Sequence, residues 1–433
     1  MDIDIALDTM MGVDFAKLVQ QVSTEGGSTP TKGFGVIKAN PEKSKHLETA
    51  TLNLEGRWID FINLRKEEYA ANSRIPTMAF GTPLEDAERR DLTINALFYN
   101  INEDKVEDFT GRGLEDLKNG YIRTPLAALN TFTDDPLRVL RVFRFAARYN
   151  FTIDPEIHEA IRDPSVLEHL RHKVSRERIG KEVEPALEHP NCVIYLNYLH
   201  AAGLLEVILD VAGKPVDPVS QEKVTEMINH NSMIWNKITN VADTHKQLLL
   251  GANNDEPKTT RLYLMLSSLL YGFDQVKYAK SALYCEHFIK EGLKLKNKYS
   301  DDIRTILCGA TNISQTLSKT TQEDLKLPAF AQYLGILIRE LGNLYPLSLL
   351  LLLSLPKPPQ NLSLLIEQLN AHKLAHFHDV KPLINGTDAM KELGVSGKDV
   401  KPIRDAALKW QVIHREGTKD ELLAFLKQQF IKK

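Results

Sequence analysis

Two aspartates stand two positions apart at the start of the chain, within the sequence Met1-Asp2-Ile3-Asp4-Ile5. Residues two apart in a β-strand point to the same face, so a strand here would present both carboxylates to one site. Carboxylate oxygens are hard ligands that suit Mg²⁺. The pair therefore indicates a metal site, although a solvated N-terminus would show the same pattern.

A third aspartate interrupts an apolar segment that runs from Trp58 to Leu64. A buried unpaired charge is costly, so Asp60 needs a metal or a basic partner such as Arg65, unless it faces solvent. If this strand lies beside the first, three carboxylates converge on one face. Such a cluster can hold two Mg²⁺ ions, one lowering the pKa of an attacking hydroxyl and the other neutralising a triphosphate.

Charged side chains are concentrated between Glu85 and Asp91, at the start of a segment whose apolar spacing predicts a helix over Asp86–Asn100. Arg90 lies near the expected N-terminal end of this helix, and Asn95 lies one turn further along. Guanidinium groups suit phosphate oxygens, which favours an anion site. Ion pairs among the charged residues of a helix start would explain the segment equally well.

Four arginines recur at spacings of three, three and four residues along a second expected helix. They are Arg138, Arg141, Arg144 and Arg148. This spacing lines them along one face, where they repel one another and need anionic partners, either carboxylates or phosphates and bases. We expect Thr133 or Asp134 to cap the helix and Pro136 to lie in its first turn.

The elements that must position these residues change character along the chain. Strand-like segments dominate up to about residue 130, whereas helical periodicity persists from Asp135 to the end. A helix is expected at Val13–Val22. Strands are expected at Asp2–Leu7, Gly35–Ala39, Thr49–Leu54 and Arg57–Leu64, with a strand pair around Asn102–Asp104. The predicted fold class is α+β, a small head of mixed β-sheet with helices followed by an all-α region.

The composition describes an ordinary globular protein of 433 residues, 43% of them hydrophobic and 26% charged. The net charge is -3, so contact with nucleic acid would depend on local basic faces. The three cysteines are far apart in sequence, which argues against disulfide and zinc frameworks and for a reducing compartment. Leu347–Leu355 is too short to span a membrane and is typical of a buried core helix.

The order of these motifs resembles that of the class II tRNA nucleotidyltransferases, the CCA-adding enzymes, of eukaryotic and fungal type. The matching segments cover residues 1 to about 190 and fall in family order. They are the D-x-D strand, I-D-F-I-N-L-R, S-R-I-P-T-M-A-F-G-T-P with R-R-D-L-T-I-N-A-L-F-Y-N, D-F-T-G-R-G-L-E-D-L, D-D-P-L-R-V-L-R-V-F-R-F-A-A-R and R-E-R-I-G-K-E. The resemblance implies a nucleotidyltransferase catalytic head at 1–133, a helical neck at 134–190 and a tRNA-binding helical body and tail at 191–433.

The resemblance also implies an activity and a set of site residues. The activity is template-independent addition of CCA to the 3′ end of tRNA from CTP and ATP, by Mg²⁺-assisted attack of the 3′ hydroxyl on the α-phosphate with release of pyrophosphate. Asp2 and Asp4 match the metal-binding aspartates, and Asp60 matches the third catalytic carboxylate. The positions that match nucleotide contacts are Arg89, Arg90, Asn95, Asp135, Arg138, Arg141 and Arg144.

Within this set, Asp135 and Arg138 match the pair that reads the incoming base in place of a nucleic-acid template. Cytosine and adenine each present an amino donor beside a ring-nitrogen acceptor, which an aspartate acceptor next to an arginine donor complements. Uracil and guanine present the opposite order and would leave the charged pair facing like groups. One pair of side chains could thus accept CTP and ATP and refuse UTP and GTP.

Two basic runs are candidates for contact with the tRNA backbone, although solvated helix faces show the same composition. They contain Arg176, Arg178 and Lys181, and Lys294, Lys296 and Lys298. The resemblance implies no membrane partner, and it implies an intracellular protein with mitochondrial, cytoplasmic and nuclear locations. Protein partners and the oligomeric state are left open by the sequence.

One departure from the family concerns the start of the chain. The family's first strand and its Gly-Gly-x-Val-Arg-Asp helix start do not precede Asp2 here, so we expect a truncated form. The alternatives are an enzyme that adds only CC or only A, a poly(A) polymerase relative, and an inactive tRNA-binding isoform. Ser73–Pro83 resembles the flexible loop of full CCA-adding enzymes, which favours complete CCA addition.

Overall fold

A computed structural model describes residues 3–25, 34–37, 49–54, 56–68, 77–210, 221–250, 257–278, 283–395 and 397–430. The chain forms two compact units, Met1–Ala186 with Ala201–Val207, and Leu187–His200 with Ile208–Lys433. The strands lie between Ile3 and Ile153, interspersed with helices, and the named elements after them are helical, so the expected α+β class is confirmed. The finer division into head, neck, and body with tail stays a prediction.

The first unit is built around a four-stranded sheet with one covering helix. Its elements are β1 (Ile3–Leu7), α1 (Gly12–Glu25), β2 (Phe34–Ile37), β3 (Thr49–Leu54) and β4 (Arg57–Asn63). The strand order is β1-β4-β3-β2, with β1 parallel to β4 and the other two pairs antiparallel. Ala16 of α1 joins Ala50, Leu52 and Phe61 of the sheet in one buried cluster. The expected strands and helix are confirmed where the structure describes them.

The turn between β1 and α1 is held tightly against β4. A Cβ atom on Gly12 would lie 2.4 Å from the carbonyl oxygen of Phe61. Asn63 donates from Nδ2 to the Met10 carbonyl at 2.7 Å, and its Oδ1 accepts from the Gly12 N–H at 3.4 Å. One glycine and one asparagine therefore fix the end of the strand that carries Asp4.

We expect Gly12→Ala to lower the free energy of unfolding of the first unit by about 1–3 kcal/mol, the usual cost of forcing a methyl group into a packed contact. Because the obstructing atom belongs to the backbone of β4, no side-chain rotation relieves the contact. Urea unfolding followed by circular dichroism measures the change. Gly35→Ala is the control, because a Cβ atom there meets nothing within 4 Å. Equal stability of the two variants would contradict the packing described.

The expected helix over Asp86–Asn100 is wrong. The chain instead forms β5 (Arg65–Glu68), β6 (Thr77–Phe80), α2 (Pro83–Glu88), a 3-10 turn at Thr93–Asn95, β7 (Phe98–Asn100) and β8 (Lys105–Glu107). β5 pairs with β6 and β7 with β8, both antiparallel. Leu92 and Ala96 are buried, whereas Tyr99 is 59% exposed. The arginines after α2 turn back to Asp86, and the backbone of β7 bonds to β8.

A group of short helices follows the hairpin of β7 and β8. It comprises α3 (Gly113–Asn119), β9 (Tyr121–Ile122), α4 (Ala128–Asp134), α5 (Leu137–Tyr149), β10 (Thr152–Ile153), α6 (Pro155–Ile161), α7 (Pro164–Lys173) and α8 (Arg176–Glu188), with β9 and β10 paired in parallel. The arginine-bearing helix is confirmed as α5, but its expected cap is wrong. Thr133 and Asp134 belong to α4, which ends at Asp134. Between α4 and α5, Asp135 has an extended backbone, and its Oδ1 accepts from the Leu137 N–H at 3.3 Å.

Helices make up the named elements from Cys192 onward. They are α9 (Cys192–Ala201), α10 (Leu204–Leu209), α11 (Gln221–Thr244), α12 (Lys246–Leu250), α13 (Pro257–Leu269), α14 (Tyr284–His287), α15 (Asn297–Leu317), α16 (Pro328–Leu341), α17 (Tyr345–Ser354), α18 (Leu362–Ala371), α19 (Gly386–Leu393), α20 (Val400–Ile413) and α21 (Lys419–Phe430). The expected all-helical C-terminal region is thus confirmed for the described residues. The three cysteines are free thiols, and burial raises the pKa of Cys285 to about 12.

One helical stretch, Pro328–Ser354, is long and apolar enough to cross a membrane when judged by length and composition alone. Within it, 67% of the most apolar window is buried inside the protein. Gly342, with a φ of 58°, separates α16 from α17. Leu347 and Leu350 of α17 are 0% exposed, so this segment is the buried core helix expected from the sequence.

Candidate active site

Two carboxylates on neighbouring strands form the acidic part of the candidate site. Asp4 of β1 and Asp60 of β4 are direct register partners in a parallel pair. Neighbouring strands lie about 4.8 Å apart and paired residues point to the same face, so both carboxylates project from one side of the sheet. Asp4 is exposed and Asp60 is half-buried. Asp2, the other predicted metal ligand, lies outside the described residues.

This pair of carboxylates fits a divalent cation. Like charges directly opposite each other destabilise a sheet, and a cation between them removes that cost while using the hard oxygen ligands it prefers. Among the described residues, no three His, Cys, Asp or Glu side chains come together as a complete metal site. Asp4 and Asp60 could supply two ligands to such a cation, with the rest coming from other oxygen donors such as water, phosphate or a further carboxylate.

Arg89 and Arg90, directly after α2, are brought together by one buried carboxylate. Asp86 is 2% exposed and accepts hydrogen bonds from Arg89 Nε at 2.9 Å and from Arg90 Nη2 at 2.9 Å. Arg90 Nη1 also donates to the carbonyl of Asn95 at 3.2 Å. Three of the predicted nucleotide-binding residues thus lie in one hydrogen-bonded group, and the carboxylate that organises them was not among the residues predicted for the site.

Helix α5 contacts this group directly. Arg138 Nη2 donates to the carbonyl of Arg89 at 2.6 Å. One turn further along, Arg141 Nε donates to Asp91 Oδ2 at 2.6 Å, and the other oxygen of Asp91 accepts from Asn95 Nδ2 at 3.3 Å. The segment after α2 and the arginine face of α5 therefore form one site, although some 50 residues separate them in the chain.

Two arginines of α5 share a carboxylate that the sequence analysis missed. Glu182 of α8 accepts from Arg144 Nε at 2.7 Å and from Arg141 Nη1 at 3.4 Å. Burial opposes the charge of Arg141, but the carboxylates of Asp91 and Glu182 outweigh it and raise the pKa of Arg141 above its usual value. The arginine face thus has carboxylate partners within the protein. Glu182 is the last residue of the R-E-R-I-G-K-E segment, so its position in a family motif was the sequence signal that could have identified it.

We expect Glu182→Gln to destabilise the first unit by roughly 2 kcal/mol or more, because two partly buried guanidinium groups lose their shared carboxylate. Urea unfolding at neutral pH measures the loss. Glu177→Gln on the same helix is the control, since the Glu177 side chain is 66% exposed and pairs with Lys181 at the surface. The network would be structurally unimportant if both variants unfolded at the same urea concentration.

Asp135 forms an ion pair with Arg178 of α8. Arg178 Nη2 donates to Asp135 Oδ2 at 2.6 Å, and Nη1 donates to Oδ1 at 3.2 Å. The Arg138 N–H donates to the Asp135 carbonyl at 3.0 Å, so the two members of the predicted base-reading pair are adjacent at the start of α5. In the structure Arg178 therefore lies at the candidate site, where it orients a carboxylate. Its predicted contact with tRNA phosphates stays a prediction.

The other basic residues predicted to contact tRNA lie in two parts of the chain. Arg176 and Lys181 are on α8, where Lys181 pairs with Glu177 at 2.8 Å. Close to the start of α15, three exposed lysines stand on alternate positions, Lys294, Lys296 and Lys298. Each group is a basic surface within its own unit, and contact of either with RNA stays a prediction.

Profiles of known families match two parts of the chain. One described as "Poly A polymerase head domain" matches residues 1–123, and one described as "Probable RNA and SrmB- binding site of polymerase A" matches residues 150–212. The first match contains Asp4, Asp60 and the arginine pair after α2, and the second contains Arg178 and Glu182. The two profiles therefore include most of the residues that the structure brings together.

Whole proteins and solved structures are also similar to this chain. "CCA tRNA nucleotidyltransferase, mitochondrial" of Saccharomyces cerevisiae is 36% identical, covering 98% of this chain and 84% of the relative. The protein of the same name from Candida glabrata is 34% identical, covering 98% and 86%. A structure described as a CCA-adding enzyme in apo form II has a TM-score of 0.64 and 21% identity, covering 99% of this chain and 88% of that chain. At that identity the structural likeness concerns the fold.

Proposed function

This chain belongs to the CCA tRNA nucleotidyltransferase family, and we propose that it adds CCA to the 3′ end of tRNA from CTP and ATP without a nucleic-acid template. The observation that carries the proposal is the register of β1 and β4, which sets Asp4 beside Asp60 at the surface of the sheet. Paired carboxylates suit a divalent cation, and the guanidinium groups of the first unit suit a triphosphate. These are the ligands that nucleotidyl transfer requires.

Asp4 and Asp60, together with Asp2, would hold Mg²⁺. When bound, Mg²⁺ lowers the pKa of the tRNA 3′ hydroxyl and neutralises the charge of the triphosphate and of the departing pyrophosphate. The hydroxyl oxygen forms a bond to the α-phosphorus, and the bond between the α-phosphorus and the oxygen that bridges it to the β-phosphate breaks. The carboxylates orient this in-line displacement because strand pairing fixes their spacing.

The guanidinium groups of Arg89 and Arg90 would bind the triphosphate, and Asn95 would add a polar contact. Guanidinium forks match phosphate oxygens in geometry as well as in charge. Arg141 and Arg144 would lie near the nucleotide, held in place by Glu182. Because these side chains already have protein partners, they are ordered before the nucleotide arrives and lose little conformational freedom when it binds.

Asp135 and Arg138 would select the base. The carboxylate accepts from the amino group of cytosine or adenine, and the guanidinium donates to the neighbouring ring nitrogen. The bidentate contact from Arg178 holds the carboxylate in one orientation, which a specific reading of hydrogen-bond order demands. The same pair can serve both nucleotides because their Watson–Crick edges present this donor and acceptor in the same order.

The helical parts of the chain would bind tRNA by its shape and phosphates, which suits a protein that must accept every tRNA. We assign the catalytic head to 1–133, the neck to 134–190, and the tRNA-binding body and tail to 191–433. The candidate phosphate contacts are Arg176, Arg178, Lys181 and the three lysines near the start of α15. The yeast relatives are named as mitochondrial. We assign this protein to mitochondria as well, with cytoplasmic and nuclear pools.

The activity is tested with the full chain, Mg²⁺ and tRNA transcripts that end at different points. A transcript lacking CCA should gain two C residues from labelled CTP alone, and a transcript ending in CC should gain one A from labelled ATP alone. UTP and GTP should give no product. Addition of only C or only A identifies a partial enzyme, a long A tail identifies a poly(A) polymerase, and binding without extension identifies an inactive form. Each of these three results would overturn the proposal.

A further inference from the structure

We propose that Asp86 is a positioning residue that holds Arg89 and Arg90 in the geometry needed to bind the triphosphate of the incoming nucleotide. This inference rests on the proposed role of those two arginines and assigns a function to a residue that neither contacts the cation nor reads the base. Asp86 acts through the side chains it holds. It is therefore distinct from the three aspartates proposed for catalysis and metal binding.

Both carboxylate oxygens of Asp86 accept more than one hydrogen bond. Oδ1 accepts from Arg89 Nε at 2.9 Å, from Arg89 Nη2 at 2.5 Å and from the Arg65 N–H at 3.2 Å. Oδ2 accepts from Arg90 Nε at 3.1 Å and Arg90 Nη2 at 2.9 Å. Each oxygen thus binds one guanidinium group, and both guanidinium groups are held through Nε and Nη2. The Asp86 side chain is only 2% exposed, so water does not compete for these bonds.

The position of Asp86 in α2 explains how one carboxylate can hold two consecutive arginines. Successive residues of an α-helix point about 100° apart, so neighbouring side chains do not normally meet on one face. Here α2 ends at Glu88, and Arg89 and Arg90 follow at three and four positions after Asp86. Both can therefore turn back to the same acid. Asp86 therefore fixes the position of both guanidinium groups at once.

The arrangement reaches beyond the two arginines to neighbouring elements. Asp86 accepts a hydrogen bond from the backbone N–H of Arg65, the first residue of β5. Arg65 lies two residues after the end of β4, the strand that carries Asp60. The Arg89 carbonyl accepts from Arg138 of α5 at 2.6 Å. Arg90 stacks over the ring of Phe98 with 5.3 Å between guanidinium carbon and ring centroid. Asp86 therefore links the strand layer, the phosphate-binding arginines and the base-reading helix.

The test compares Asp86→Asn with wild type in the full chain. An amide offers one acceptor oxygen and two donor hydrogens, so it can hold one guanidinium but turns donors towards the other. We expect the dissociation constants of labelled ATP and CTP with Mg²⁺, measured by equilibrium dialysis, to rise about tenfold, with the same rise in KM. The preference for CTP and ATP over UTP and GTP, and the KM for tRNA, should stay unchanged. Asp86→Glu keeps the charge and should recover part of the affinity.

The matched control is Asp116→Asn. Asp116 is also 2% exposed in the first unit, and it pairs with Arg123 at 2.8 Å and accepts from the Thr93 hydroxyl at 2.7 Å. Loss of this buried acid should lower the unfolding midpoint in urea without changing nucleotide affinity. Equal affinity loss in both variants would mean that Asp86 is merely structural. Unchanged ATP affinity in Asp86→Asn would overturn the proposal.

A double-mutant cycle separates the inference from the function on which it rests. If Asp86 acts through Arg90, Asp86→Asn should reduce ATP affinity much less in an Arg90→Lys background than in wild type. Additive losses would overturn the positioning role even in an active enzyme. A wild-type chain that binds neither ATP nor CTP would overturn the proposed function itself, whereas wild-type binding with an unaffected Asp86→Asn variant would overturn only the role of Asp86.

Discussion

Asp4→Asn should reduce the incorporation of CMP and AMP about a thousandfold or more while leaving the protein folded. The substitution keeps the shape of the side chain but removes the negative charge that a cation beside Asp60 requires. Loss of a metal-binding contribution of several kcal/mol corresponds to at least three powers of ten in rate. Single-turnover extension of tRNA lacking CCA, with labelled CTP and a series of Mg²⁺ concentrations, measures the effect.

The control for this result is Asp14→Asn in α1. Its side chain is 63% exposed and pairs with Lys17, so the same change of acid to amide occurs in the helix that covers the sheet but outside the site. Asp14→Asn should retain the wild-type rate. If Asp4→Asn kept a rate within tenfold of wild type, the assignment of β1 as the metal-binding strand would be wrong.

Asp135→Asn should weaken the discrimination of CTP and ATP from UTP and GTP by about ten- to a hundredfold, in addition to slowing the reaction. An asparagine side chain can either donate or accept, so it no longer requires an amino group on the base. It also loses the charge that holds it against Arg178. The ratio of kcat/KM for CTP to that for UTP, on the same tRNA, reports selectivity separately from rate.

Asp163→Asn is the matched control for base selection. Asp163 also lies at the start of a helix in the first unit, where it accepts from the Ser165 N–H at 2.9 Å. Its replacement should affect stability and leave the ratio of CTP to UTP use unchanged. A similar loss of rate with unaltered selectivity in Asp135→Asn would show that Asp135 supports the fold of α5 rather than reading the base.

The strands of the first unit could be predicted from the sequence because their physical signal is local. Aspartate and isoleucine alternate in β1, which matches the two-residue period of an extended chain. In β4 an apolar run surrounds Asp60, which is also typical of a strand. Turn residues such as Gly56 mark the connections, here with a φ of 81°. The pairing of β1 with β4 was only a conditional expectation, since no local pattern states which strands become neighbours.

The wrong helix at Asp86–Asn100 shows where local reasoning stops. The spacing of Leu92 and Ala96 satisfies a helical face, and both residues are buried. A 3-10 turn followed by a strand buries them equally well, because burial depends on where the chain runs and not on its periodicity alone. The pairing of β7 with the partner strand β8 is a contact that a helical pattern does not contain.

Sequence alone determined the chemistry that this protein carries, since the types and order of its aspartates and arginines are properties of the chain and identify its family. Tertiary structure decided which of those charges meet. Asp4 faces Asp60 through strand register, Arg141 and Arg144 share Glu182, and Arg178 pairs with Asp135. The reason is physical: partly buried charges must find partners, and partners some 40 to 56 residues apart become neighbours only when the chain has folded.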